Sequence, residues 1–165
     1  MIAKKAPEKY ELDKLSIFLA GSIEMGKAED WQTKVTKKFE PYDVLILNPR
    51  RDDWDESWIQ SIDHPQFNEQ VTWELEAQEN CDIIIMHFCP DTQAPITLLE
   101  FGLFAKTGKV RVSCPEGYWR KGNIEVCCDR YNVPLYTDLD LMTDNVIEEV
   151  YARLQLKQEE ENASD

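Results

Sequence analysis

A chain of 165 residues is long enough for one domain with a sizeable core. Its 32 acidic against 18 basic residues give a formal net charge of −14, which repels nucleic-acid backbones and anionic membranes and excludes both as expected partners. No apolar run approaches the roughly 20 residues needed to cross a bilayer, and the opening "MIAKKAPEKYELDK" lacks an apolar signal core, so a cytoplasmic protein is expected.

In chain order, residues 1–14 read as an N-terminal extension. "LSIFLAG" (15–21) is a short apolar run ending in Gly and reads as a buried strand. "KAEDWQTKVTKKF" (27–39) has helical spacing, with Trp31, Val35 and Phe39 on one face. "DVLILNP" (43–49) is a second strand, stopped by Pro49. A long irregular stretch (48–66) follows, of the kind that is often functional. "QFNEQVTWELEAQEN" (66–80) reads as a helix with Phe67, Val71, Leu75 and Gln78 along one side, and "DIIIMHF" (82–88) is the strongest strand signal. "PITLLEFGLFA" (95–105) is helical, with Ile96, Leu99, Leu103 and Phe104 as a stripe expected to face the core and Glu100 at its edge. "KVRVSC" (109–114) is a strand, 123–131 a helix, 133–136 a short strand and 141–156 the closing helix, ahead of an acidic tail (157–165) expected to be mobile. One domain, 15–156, is expected: an α/β fold with a five-stranded, mainly parallel sheet, doubly wound and covered by helices on both sides.

The five cysteines are odd in number, with no CxxC pair or His-rich cluster, so they read as free thiols in a reducing compartment, and no metal site is expected.

Ligands of such sheets bind beyond the C-terminal strand ends, where the winding switches. "AGSIE", "NPRRDDWD", "CPDTQAP" and "CPEGYWRKGN" belong at that rim. Gly21 and Ser22 sit between strand and helix, where amides favour anions, although a tight turn with Ser22 as a cap serves as well. Arg50 and Arg51 suit a phosphate or a base carbonyl, and Trp54 and Trp58 suit a planar ring; local salt bridges in a solvated loop are the plainer reading. Glu74 adjoins the Val71/Leu75 side, whereas Glu76 and Glu79 read as solvated. His87, on a central strand, reads as a hydrogen-bonded core residue. Glu100 is the awkward charge: a carboxylate there loses water and rises in pKa unless paired.

Together, "IFLAGSI", "NPRR", "CDIIIMHFCPDTQAPITLLEFGLFA" and "GYWRKGN" resemble the nucleoside 2-deoxyribosyltransferase-like superfamily over about residues 15 to 136. The acid in the Leu-Glu-Phe-Gly helix start, after Asp-Ile-Ile and the Pro-Asp pair that ends in Asp91, is its most specific part. The resemblance implies a flavodoxin-like sheet, cleavage of the N-glycosidic bond of a nucleoside or nucleotide, no metal or organic cofactor, and a homo-oligomer, a dimer or a multiple of one. It places the nucleophile on Glu100, the acid near the leaving base on Glu74, and a site-closing Asn on Asn123. A family Tyr that bonds the nucleophile falls on Phe18, and a sugar-holding Asp falls near Ala94, with Thr92 and Thr97 as the nearest polar substitutes.

A carboxylate can attack the anomeric carbon as the base departs, and the resulting ester is resolved by a second base or by water. The leading expectation is therefore 2-deoxyribosyl transfer between nucleobases through a glycosyl-Glu100 intermediate. The alternatives are a nucleoside 5′-monophosphate N-glycoside hydrolase, with Ser22, Arg50 or Arg51 on the phosphate, and a nucleotide-binding module without chemistry.

Overall fold

Runs of Ile, Val, Leu and Phe with no polar side chain on either face suit strands covered on both sides. The computed structural model describes residues 1–23 and 29–164. Its elements are β1 (Ile2–Lys5), β2 (Leu15–Gly21), α1 (Trp31–Lys38), β3 (Val44–Asn48), α2 (Pro65–Asn80), β4 (Ile83–His87), α3 (Pro95–Phe104), β5 (Val110–Ser113), α4 (Lys121–Tyr131), β6 (Leu135–Tyr136) and α5 (Leu139–Ser164). The strands form a single sheet in the order β1-β3-β2-β4-β5-β6, paired in parallel throughout. Counted from β2, this is the 2-1-3-4-5 order of flavodoxin-like sheets, with the winding switch between β2 and β4.

The sheet has six strands, not the expected five. The sixth, β1, pairs with β3 from Ile2↔Leu45 to Lys5↔Asn48. Its sequence, IAKK, has no apolar run because it is an edge strand that needs burial on neither face, and edge lysines discourage further pairing. The closing helix also runs beyond residue 156, through Ser164. Glu, Gln, Lys and Ala, which fill that stretch, are strong helix formers. Residues 27 and 28, expected to open the first helix, lie outside the described residues. α1 begins at Trp31, capped by Asp30, whose carboxylate accepts from the Thr33 N–H.

Alternate strand residues point into two cores. Phe18, Ala20, Leu45, Leu47, Ile84, Met86 and Val112 pack with Trp73 and Ala77 of α2, Phe101 and Phe104 of α3, and Ile124 and Cys128 of α4. Ile17, Leu19, Val44, Ile46, Ile83 and Ile85 pack on the other face with Trp31 and Val35 of α1 and with Met142, Val146 and Val150 of α5. At the N-terminal ends of the two central strands, Asp82 accepts from the Ser16 N–H and Oγ–H, 2.8 Å each, tying β2 to β4. None of the five cysteines forms a disulfide, and burial pushes the thiols of Cys81 and Cys128 up to about 12. Among the described residues, no helix is long and apolar enough to cross a membrane.

Candidate active site

The helix carrying Glu100 turns the opposite way from the expected one. Ile96, Leu99 and Leu103 are 55–60 % exposed, while Thr97, Glu100, Phe101 and Phe104 are buried. Of the expected stripe only Phe104 faces the core. α3 is apolar nearly all round, so its periodicity cannot choose a face; contact with the sheet chooses it. Glu100 is thus in the middle of the buried face, with Thr97 one turn earlier.

α2 supplies the surroundings. Its buried face is Gln70, Trp73, Ala77 and Gln78, whereas Phe67, Val71 and Leu75 are only half-buried. Of the expected side only Gln78 is fully buried, and it belongs with Gln70 and Glu74 to one polar row spaced four apart. Gln78 Nε2 donates to Glu100 Oε1 at 2.8 Å and to the Glu74 carbonyl at 3.2 Å. Gln70 Nε2 donates to Glu74 Oε1 at 2.7 Å and to the Pro49 carbonyl at 2.8 Å. One network therefore runs from Glu100 through both glutamines to the chain leaving β3. The sequence placed Gln78 on the inward side without a role, and it missed Gln70 altogether.

The two carboxyls are pushed toward neutrality. Burial, and then the nearby Glu74 charge, raise Glu100 to about 8 against the opposing hydrogen bond from Gln78. Burial raises Glu74 to about 7 against the bond from Gln70. Between about pH 7 and 8 the two acids hold one proton between them, and the higher value of Glu100 places it there in the free protein. Such a pair offers both a carboxylate and a carboxylic acid, the two forms that nucleophilic attack and proton donation use, provided the proton can pass from one to the other. By contrast, burial lowers His87 to about 4, so its imidazole is neutral, and Nδ1 lies 3.0 Å from Ser113 Oγ in the core.

The rim above the network is built at the winding switch. Gly21 ends β2 against His87. Ser22 is fully enclosed: its N–H donates to the His87 carbonyl, its Oγ accepts from the Cys89 N–H at 3.1 Å and pairs with Thr92 Oγ1 at 2.9 Å, and its carbonyl accepts from Trp31 Nε1. Ser22 thus fastens the loop after β2 to the loop after β4, and it caps no described helix. That second loop carries two left-handed residues, the exposed Asp91 at φ 60° and Ala94 at φ 45° immediately before α3. Strain of this kind in non-glycine residues collects at functional sites.

The remaining candidates separate. Arg50 follows Pro49 and is loosely held, with Nη1 3.5 Å from Gln32 Oε1 and Nε 4.0 Å from Asp30. Gln32, also missed from sequence, is wholly buried, and its Nε2 has no hydrogen-bond partner among the described residues. Arg51 is instead pinned by Asp53 at 2.6 Å and Glu69 at 3.1 Å, with its guanidinium over Trp58. Trp54 packs edge-on to Trp58 at 5.1 Å in that same cluster. Asn123 is exposed on the first turn of α4. Shallow cavities of about 430 and 480 Å³ lie elsewhere, one beside Pro7, Pro65 and Trp73 and one under α5 around Tyr42 and Tyr151.

No curated protein matches the chain. The family model described as nucleoside 2-deoxyribosyltransferase like matches residues 14–118. That span holds the switch point, the Gln70–Glu74–Gln78 row and Glu100, and stops before Asn123. With well over half of its length so matched, the chain belongs to the nucleoside 2-deoxyribosyltransferase-like family.

Proposed function

We infer that the protein cleaves the N-glycosidic bond of a (deoxy)nucleoside and passes the 2-deoxyribosyl group to a second nucleobase. The buried Glu100 and the half-buried Glu74, each held by a glutamine beneath the winding switch, carry this reading. As the bond to the base lengthens, positive charge grows on the sugar. That charge favours the ionised form of Glu100, so the pair's single proton passes from Glu100 to Glu74; Glu100 then attacks the anomeric carbon as the bond to the base breaks, and Glu74 gives that proton to the departing base. The ester on Glu100 then meets a second base, or water. The rim residues Gly21, Ser22, Asp91, Thr97 and Asn123 are the proposed surroundings of the ligand. Arg51 and Trp54 join it only if their present partners release them.

Hydrolysis of a nucleoside 5′-monophosphate is the second reading. It is favoured by Arg50, a loosely held cation one residue beyond the Pro49 carbonyl to which Gln70 donates. Incubating pure protein with a panel of nucleosides and nucleotides, with and without a free base, separates the readings. A new nucleoside means transfer; free base alone means hydrolysis. Neither product, with a ligand-induced rise in Tm, would leave a binding module and reject both.

The protein is also proposed to be a homo-oligomer, a dimer or a multiple of one. Ile96, Leu99 and Leu103 form an exposed apolar row on a helix whose sole charged residue is buried, and such a row costs solubility unless it is covered. Light scattering at micromolar concentration should show the oligomer, and Leu99→Lys should shift it to monomer. A wild-type monomer would reject this.

A further inference from the structure

Gln78 is 0 % exposed. Its Nε2 makes the bonds to Glu100 Oε1 and the Glu74 carbonyl, and its Oε1 has no hydrogen-bond partner among the described residues. A buried amide oxygen left without a donor is destabilising, and a side chain such as Met fills a similar volume without that penalty. Packing therefore does not account for an amide here; the contact with Glu100 does. Among the described residues Gln78 is the side-chain donor to Glu100.

We propose that Gln78 is the positioning residue for Glu100: its amide holds one carboxyl oxygen at 2.8 Å and so directs the other at the reacting carbon. The proposal rests on the reading of Glu100 as the nucleophile. A glutamate side chain has three rotatable bonds, and fixing one oxygen removes most of that freedom before the substrate arrives. An N–H donor also favours the charged carboxylate. It opposes the effects of burial and of Glu74, the titratable group that acts on Glu100. Gln78 and Glu74 thus pull the protonation of Glu100 in opposite directions.

The test uses Gln78→Met, which keeps the volume and removes the donor, and Gln78→Asn, which withdraws it by one methylene. Carbon-13 NMR of glutamate-labelled protein follows the titration of Glu100, with Glu100→Gln identifying its signal. In Gln78→Met the midpoint should move to higher pH, and the rising limb of single-turnover base release should move with it. At neutral pH kcat should fall about tenfold or more with KM nearly unchanged, Gln78→Asn should lie between, and Tm should hold or rise. An unmoved midpoint, or a large fall in Tm for Gln78→Met, would overturn the proposal, the latter marking a merely structural amide. If the wild type releases no base from any nucleoside or nucleotide, the enzymatic reading fails by itself. The NMR midpoint then still decides whether Gln78 governs Glu100.

Discussion

Replacing Glu100 with Ala or Gln should reduce base release by about three orders of magnitude or more, equivalent to roughly 4 kcal/mol of barrier, because the covalent route is lost. Glu100→Asp should be nearly as poor, since retreat by one methylene takes the oxygen about 1 Å or more from attack distance. The fold should survive these changes. A carboxyl raised to about 8 when folded, against 4.5 ordinarily, binds a proton in the native state that the unfolded chain releases. Its contribution to stability is therefore complete below pH 4.5 and is lost as pH rises through 8. Glu74 acts in the same direction, through about 7. Wild-type Tm should fall between mildly acidic and mildly alkaline pH, and Glu100→Gln should fall less steeply, overtaking it at the alkaline end. Thermal melts across pH, paired with single-turnover base release on the same samples, check both halves. Base release by Glu100→Ala at near wild-type rate would remove the nucleophile assignment.

The largest loss of stability is expected at Gly21. A Cβ built there would stand 2.4 Å from the His87 carbonyl oxygen and 2.6 Å from the Trp31 ring. Neither neighbour can give way: the oxygen belongs to the backbone of β4, in register with Gly21, and Trp31 is fully buried with its Nε1 bonded to the Ser22 carbonyl. Gly21→Ala must part β2 from β4 at the winding switch, at a cost of about 3 kcal/mol or more. The same displacement would loosen Ser22 from Cys89 and Thr92, so the rim should fail with the fold. Urea denaturation should show a lowered midpoint with an unchanged slope, because the loss comes from native-state strain. A midpoint equal to that of the wild type would show that the two strands do not need this close approach.

The sequence by itself determined the order of the main elements. Each strand from β2 to β5 is recognisable as a short run rich in apolar residues, since the middle of a sheet buried on both faces needs apolar side chains at nearly every position. Glu100 stood out for the same reason, as a charge within an apolar helix. β1 was not legible, because an edge strand recruited by β3 needs no apolar run. Nor was the facing of α3, where Ile, Leu and Phe occupy every side and contact with the sheet alone decided that Glu100 goes inward. The glutamines show the limit most plainly. Gln70 and Gln78 carry no hydrophobic signal, and their importance arises only when α2 and α3 pack together. The pairing of Glu74 with Glu100, and the shift of both toward neutral pH, therefore belong to the tertiary structure. Dehydration and the approach of two like charges across 26 residues of chain are properties of a packed interior, and no local stretch of residues contains them.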